Sequence, residues 1–157
     1  MARLGIDIGR VLMEPVGEES ADTSFLGSRL EDALRTPPAV DAFEVVRELV
    51  PRFEEVWLVS KCGPGVQAKS VAWLAHHDFW AQTGIPEGNV RFCRERADKA
   101  IHARQLGLTH FIDDRRDVLR HLRGLVPHLF LFGKQEEPPP PWATPLLTGS
   151  AARGLVT

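Results

Sequence analysis

Five short apolar runs, separated by segments of helical period, set the strongest limit on what this chain can fold into. The runs are Leu4–Ile8, Glu55–Ser60, Val90–Cys93, His110–Asp113 and His128–Phe132. Between the first two, Val40, Phe43, Val46, Leu49 and Val50 recur at helical spacing after Pro37-Pro38, with proline in the first turn as expected. Strands that alternate with helices imply parallel strands joined by right-handed crossovers and covered by helices on both faces. The expected fold is α/β, a three-layer sandwich around a central, mainly parallel sheet of five strands.

The intervening segments are read in the same way. A helix carries Val66, Ser70, Trp73 and Leu74 and continues toward Trp80. Asp98 caps a helix containing Ile101, Ala103 and Leu106, which Gly107 ends. Asp117–Leu125 supplies one more helix. The stretch from about Glu14 to Pro37, rich in Gly, Glu, Ser and Pro, reads as a small flap with weak helical character around Leu26–Leu34. Beyond Gly133 the texture changes to a proline-rich segment, Pro138–Pro141, and a tail without clear period. One α/β domain is therefore expected over residues 1–133, with a flap at about 14–37 and a C-terminal tail over 134–157. The tail is expected to fold over the site or over a partner.

Composition removes several function classes. A formal charge of −2 offers no basic footprint for a nucleic acid polymer and no attraction to anionic membranes. No apolar run approaches the roughly 20 residues of a membrane helix, and the first residues lead directly into strand-like sequence rather than a signal-peptide core. Two cysteines, Cys62 and Cys93, are too few for a disulfide framework or a zinc cluster. The expected location is the cytoplasm.

In sheets of this kind the working residues collect at the carboxyl ends of the strands. Asp7, Ser60 and Asp113-Asp114 each stand at such an end and are expected to converge. Several carboxylates repel one another unless a cation lies among them, and hard oxygen ligands suit Mg²⁺. A carboxylate beside such an ion can attack phosphorus and form an aspartyl-phosphate. Ser60 can hydrogen-bond a phosphoryl oxygen, Lys61 is a neighbouring phosphate-binding candidate, and Lys99 adds positive charge from the helix after the third strand.

These residues resemble the motifs of the haloacid dehalogenase-like hydrolase superfamily, most of whose members are phosphatases. Gly5-Ile6-Asp7-Ile8-Gly9-Arg10-Val11-Leu12 is similar to its first motif, and Trp57-Leu58-Val59-Ser60 to its second. Lys99 resembles the third-motif lysine, and Phe111-Ile112-Asp113-Asp114 followed by Asp117 the acidic fourth motif. The resemblance covers the first 133 residues or so. It implies a Rossmann-like fold with Asp7 as nucleophile and metal ligand, Ser60 and Lys99 on the phosphate, and Asp114 as a direct Mg²⁺ ligand. Asp113 is then a further ligand or a partner of one.

One departure matters. Relatives that are phosphatases usually carry a second aspartate, the general acid and base, where this chain has Gly9. The resemblance implies a metal contact through the backbone carbonyl there, which glycine retains. Proton donation from that position is lost, and such help is typically worth about 10²–10⁴-fold in rate. Three readings stay open: substrates with good leaving groups such as aryl or acyl phosphates, a proton from Arg10, Glu14, Glu95 or a histidine, or a catalytically weak binding or scaffold domain that keeps the metal and phosphate site. Dehalogenation ranks lower, because it uses no metal and the Asp113-Asp114 pair argues for one. No room for a cap domain exists between Val90 and Asp113, and such capless relatives take macromolecular substrates or borrow a neighbouring subunit as a lid. A phosphorylated small molecule or a phosphoprotein is the expected substrate, and a homo-oligomer the open alternative to a bare site.

Other features have plainer readings. His76 and His77 point about 100° apart on a helix, so they form no zinc clamp and are expected to pack near Trp73 and Trp80. Asp117 suits a first helical turn, and Arg115-Arg116 a solvated face. Cys62 lies near the site but no positioned histidine base is identifiable for it.

Overall fold

A computed structural model describes residues 1–16 and 25–154 of the chain. The tip of the expected flap, residues 17–24, lies outside the described residues, as do the last three. Strand β1 (Arg3–Ile6) occupies the middle of a sheet with β2 (Glu55–Lys61), β3 (Val90–Cys93), β4 (His110–Asp113), β5 (His128–Phe132) and β6 (Thr144–Leu146). Their order is β3-β2-β1-β4-β5-β6, and every pairing is parallel. Chain order reverses direction between β1 and β4. A crevice for ligands is expected outside the carboxyl ends at that point.

Alternation along the strands separates two cores. Leu4, Ile6, Val56, Leu58, Ile112 and Phe130 face one side, packed with Phe43 of α2 (Ala42–Leu49), Trp73 of α3 (Pro64–His76) and Phe79 of α4 (Phe79–Thr83). Val59, Phe111, Leu129 and Leu131 face the other, under Ala103 of α5 (Lys99–Leu106) and Val118, Leu119 and Leu122 of α6 (Arg116–Leu122). Successive strand residues point to opposite faces, so each strand serves both layers. This is the α/β three-layer arrangement anticipated from the strand–helix alternation.

The sheet has six strands, not the five expected. Thr144-Pro145-Leu146 pairs with Phe130–Phe132 at the far edge. A proline inside a three-residue segment argues against a strand in sequence. At an edge its missing N–H costs nothing, because the outward side has no partner strand among the described residues. Gly133 N donates to Leu146 O at 2.8 Å and closes the connection. Past β6, a 3₁₀ segment (Gly149–Gly154) packs against α2, with Arg153 Nε on Glu48 Oε2 at 2.6 Å and Arg52 Nη1 on Arg153 O at 2.8 Å.

One helix differs from expectation. The run expected to continue toward Trp80 divides at Asp78, whose φ of 57° is left-handed, into α3 and α4. That turn lets Phe79 enter the core edge-on to Phe43, ring centroids 5.0 Å apart. The flap's base is anchored to the domain. Met13 bridges Pro38, Ala39 N donates to Leu12 O, and Trp73 Nε1 donates to Thr36 O. A short helix, α1 (Leu30–Leu34), is held to His77 by its Nε2 against Leu34 O at 2.8 Å.

Candidate active site

Asp7 follows β1 directly, and its N–H extends the ladder by donating to Ile112 O at 3.0 Å. Gly5 pairs with Phe111 and Ile6 with Ile112, so two residues further along, Asp7 and Asp113 stand side by side on the α5 face. Helix α5 begins with Lys99, which lies over this pair. Its Nζ donates to Asp7 Oδ1 at 3.0 Å and to Asp113 Oδ2 at 2.8 Å. All three side chains are buried, with relative exposures of 5% for Asp7, 2% for Lys99 and 1% for Asp113.

Asp113 is occupied at both oxygens, since its Oδ1 also accepts the Arg115 N–H at 3.0 Å. Asp114 is not: its Oδ1 is buried without a hydrogen-bond partner. One ligand oxygen from each of Asp7, Asp113 and Asp114 lies within 4.8 Å of the others. The three carboxylates thus outnumber the one ammonium, Lys99, that bonds Asp7 and Asp113.

The electrostatics reflect that excess. Burial, reinforced by Asp113, pushes the Asp7 carboxyl up to about 7. Burial, with Asp7 and Asp113 behind it, pushes Asp114 up to about 9. Burial opposes the charge on Lys99 as well, but Asp113 and Asp7 outweigh it and hold the ammonium above its ordinary value. Burial and mutual repulsion make these carboxyls hold protons, and a divalent cation among them would favour the charged forms. The donor set consists of oxygens alone and includes an orphaned one, which fits a hard cation such as Mg²⁺.

Ser60 is fully buried in β2, and its Oγ has no hydrogen-bond partner among the described residues. Leu58 pairs with Ile6, which places Ser60 at the level of Ile8 on the neighbouring chain segment. Lys61 ends β2 one residue further, paired with Cys93. Gly9 is buried in the turn after Asp7, where Leu12 N donates to Ile8 O at 2.9 Å. The next residue, Arg10, is left-handed at φ 60°, a conformation uncommon outside glycine and asparagine.

Gln135 has no counterpart among the residues singled out in the sequence. Its Nε2 donates to Asp114 O and to Phe132 O, both at 3.1 Å, tying the Asp114 loop to the end of β5. No periodicity or motif marks a glutamine two residues past Gly133. Arg116 is not simply solvated: its guanidinium donates to Glu137 O and lies 3.7 Å from Glu137 Oε2. The segment beyond Gly133 thus reaches the site's rim from one side. Cys62 and Cys93 are both buried and free, and burial pushes both thiols up, Cys93 to about 11, so neither is an activated nucleophile. His77 packs on Trp73, ring centroids 4.8 Å apart.

No protein-family model and no curated protein sequence matches the chain. Solved structures do, and they share this chain's α/β fold. One similar structure is the D,D-heptose 1,7-bisphosphate phosphatase from B. bronchiseptica, complexed with magnesium and phosphate. It aligns with a TM-score of 0.67 at 13% identity over 98% of this chain and 96% of that one. Another is DsGPDH of Dunaliella salina, with a TM-score of 0.54 at 15% identity over 83% of this chain and 24% of that one. No helix among the described residues is long and apolar enough to cross a membrane.

Proposed function

We propose that the protein is a Mg²⁺-dependent phosphohydrolase that works through an aspartyl-phosphate on Asp7. The observation that carries this reading is the carboxylate group of Asp7, Asp113 and Asp114 at the carboxyl edge of the sheet, with Lys99 bonded to the first two. The fold it shares with a magnesium- and phosphate-bound phosphatase supports it. A carboxylate oxygen of Asp7 forms the bond to phosphorus while the bond to the leaving-group oxygen breaks. Water then attacks phosphorus, releases inorganic phosphate and restores Asp7. Lys99 favours the ionised form of Asp7 and orients it, and Asp113 holds Lys99 in place. Asp7 and Asp114 would hold Mg²⁺, joined by Asp113 or the Gly9 carbonyl, and the bound ion supplies the charge that lets two anions meet. The Ser60 hydroxyl and Lys61 would bind phosphoryl oxygens.

Gly9 brings no proton to the leaving group, so turnover should be fastest where the leaving group departs as a stable anion, as from aryl or acyl phosphates. The likeness to a heptose bisphosphate phosphatase supports a phosphorylated small molecule as the first substrate class, with a phosphoprotein second. The test is hydrolysis of p-nitrophenyl phosphate and of a phosphometabolite panel, with and without Mg²⁺, by wild type and Asp7→Asn. Activity equal in both proteins, or absent throughout, would sink the enzymatic reading. Gly9 also favours a second reading, a binding or scaffold domain that keeps the metal and phosphate site without strong turnover. Calorimetric binding of Mg²⁺ and phosphate by a protein that hydrolyses nothing would select it.

A further inference from the structure

Directly beneath the Asp7–Asp113 pair, Gly5 and Phe111 face one another across β1 and β4. A methyl group at position 5 would stand 2.6 Å from Phe111 Cδ2 and 2.7 Å from both Phe111 Cε2 and Leu108 Cδ1. Carbon atoms in contact sit about 3.5–4.0 Å apart, so glycine is what lets the Phe111 ring lie across β1. The ring is wholly buried. Lys99 Nζ lies over it, 5.7 Å from the ring centroid, while donating to Asp7 and Asp113. The ammonium is therefore enclosed by two carboxylates and one aromatic face.

We propose that Phe111, admitted by Gly5, is a positioning residue whose ring holds the Lys99 ammonium against Asp7. This rests on the roles given above to Asp7 and Lys99. A ring face attracts a cation within about 6 Å, yet offers no hydrogen bond that would draw the ammonium off its carboxylates. An aliphatic side chain of similar bulk fills the space without that attraction. Nζ then drifts toward Asp113, its nearer partner at 2.8 Å against 3.0 Å for Asp7, and the nucleophile loses its neighbour.

The experiment compares wild type, Phe111→Leu, a protein with pentafluorophenylalanine incorporated at position 111, and Leu122→Val. Pentafluorophenylalanine keeps the ring's shape and reverses its field, while Leu122 is buried in the same core. Two quantities are read: kcat and KM for p-nitrophenyl phosphate with Mg²⁺, and the NMR shifts of the Lys99 ε and ζ protons. Both changes at position 111 should lower kcat roughly tenfold or more with KM held within about twofold, and Leu122→Val should change neither. The upfield ring-current shift of the Lys99 protons should vanish in Phe111→Leu. Wild-type kcat in either position-111 variant, or an equal loss in Leu122→Val, would overturn the proposal. If wild type turns over no phosphate, the function fails first, and Lys99 shifts unchanged by Phe111→Leu then overturn the positioning role separately. If Phe111→Leu does not fold, the fluorinated protein decides, by kcat or, in a protein without turnover, by Lys99 shifts that stay at their wild-type values.

Discussion

The two ends of the sheet treat charge in opposite ways. At the amino end, Arg3 meets Glu54 at 3.1 Å with both side chains about one-third exposed, and its Nη1 also caps α5 at Leu106 O. Thr109 N donates to Arg3 O and Arg3 N donates to Thr109 Oγ1, locking β1 to the start of β4. Charges there are paired, hydrated and of small energetic consequence. At the carboxyl end, Asp7, Asp113 and Lys99 are dry, and acid exceeds base. Burying unbalanced charge is costly, and its persistence at one end of an otherwise ordinary sheet supports the metal site proposed above. One end maintains register; the other concentrates buried acid.

The contrast can be tested from its largest expected effect to its smallest. Asp7→Asn should abolish phosphate hydrolysis by ~10³-fold or more, as removal of a nucleophile does. Without metal it should also melt at a higher temperature than wild type, because one member of a repelling group is neutralised; a lower melting temperature would argue against the excess charge.

Lys99→Met should be the most damaging to stability. Leaving buried carboxylates without their ammonium costs about 3–5 kcal/mol in comparable buried pairs. Urea unfolding in metal-free buffer measures it, and a change under a tenth of that would place the ammonium in a wetter environment.

Acidity supplies the third test. Asp7 and Asp114 have folded-state values of about 7 and about 9 against an ordinary 3.8. The folded chain therefore holds protons that the unfolded chain releases. Their contribution to stability is fully present below about pH 4 and is lost as pH rises through about 7 and then about 9. Mg²⁺ should restore that loss, so its stabilising effect should be larger at pH 9 than at pH 5, and Asp114→Asn should flatten the difference. Melting curves at the two pH values, with and without the ion, decide this.

Gln135→Ala should weaken Mg²⁺ binding by about tenfold, the lower range for residues that orient ligands, with little loss of fold; titration calorimetry reads it. Glu54→Gln, at the other end, should leave Mg²⁺ affinity and turnover unchanged and alter stability only slightly. An effect on turnover there would erase the distinction between the two ends.

Legibility followed the same division. Asp7, Asp113 and Asp114 were visible because each closes an apolar run, and Lys99 because it opens the helix after the third strand. Ser60 was visible on the same ground, though its orphaned hydroxyl was not. Gln135 and Phe111 left no trace of a role: one lies in a segment without period, the other reads as an ordinary core aromatic. Strand β6 escaped notice because Pro145 contradicts a strand wherever the edge position is unknown. Its pairing with β5 depends on a neighbour, not on its own residues.

Apolar runs of period two, helical stripes of period 3.6 and acids at strand ends are local patterns, so the chain alone dictated the α/β alternation and the edge where its chemistry gathers. Which strands became neighbours is a long-range outcome of packing. Only that outcome placed Asp7 beside Asp113, laid Phe111 across Gly5, and buried one lysine between two carboxylates with a third close by. Charge balance belongs to the assembled site, because a carboxylate's energy depends on what surrounds it, and those surroundings come from remote parts of the chain.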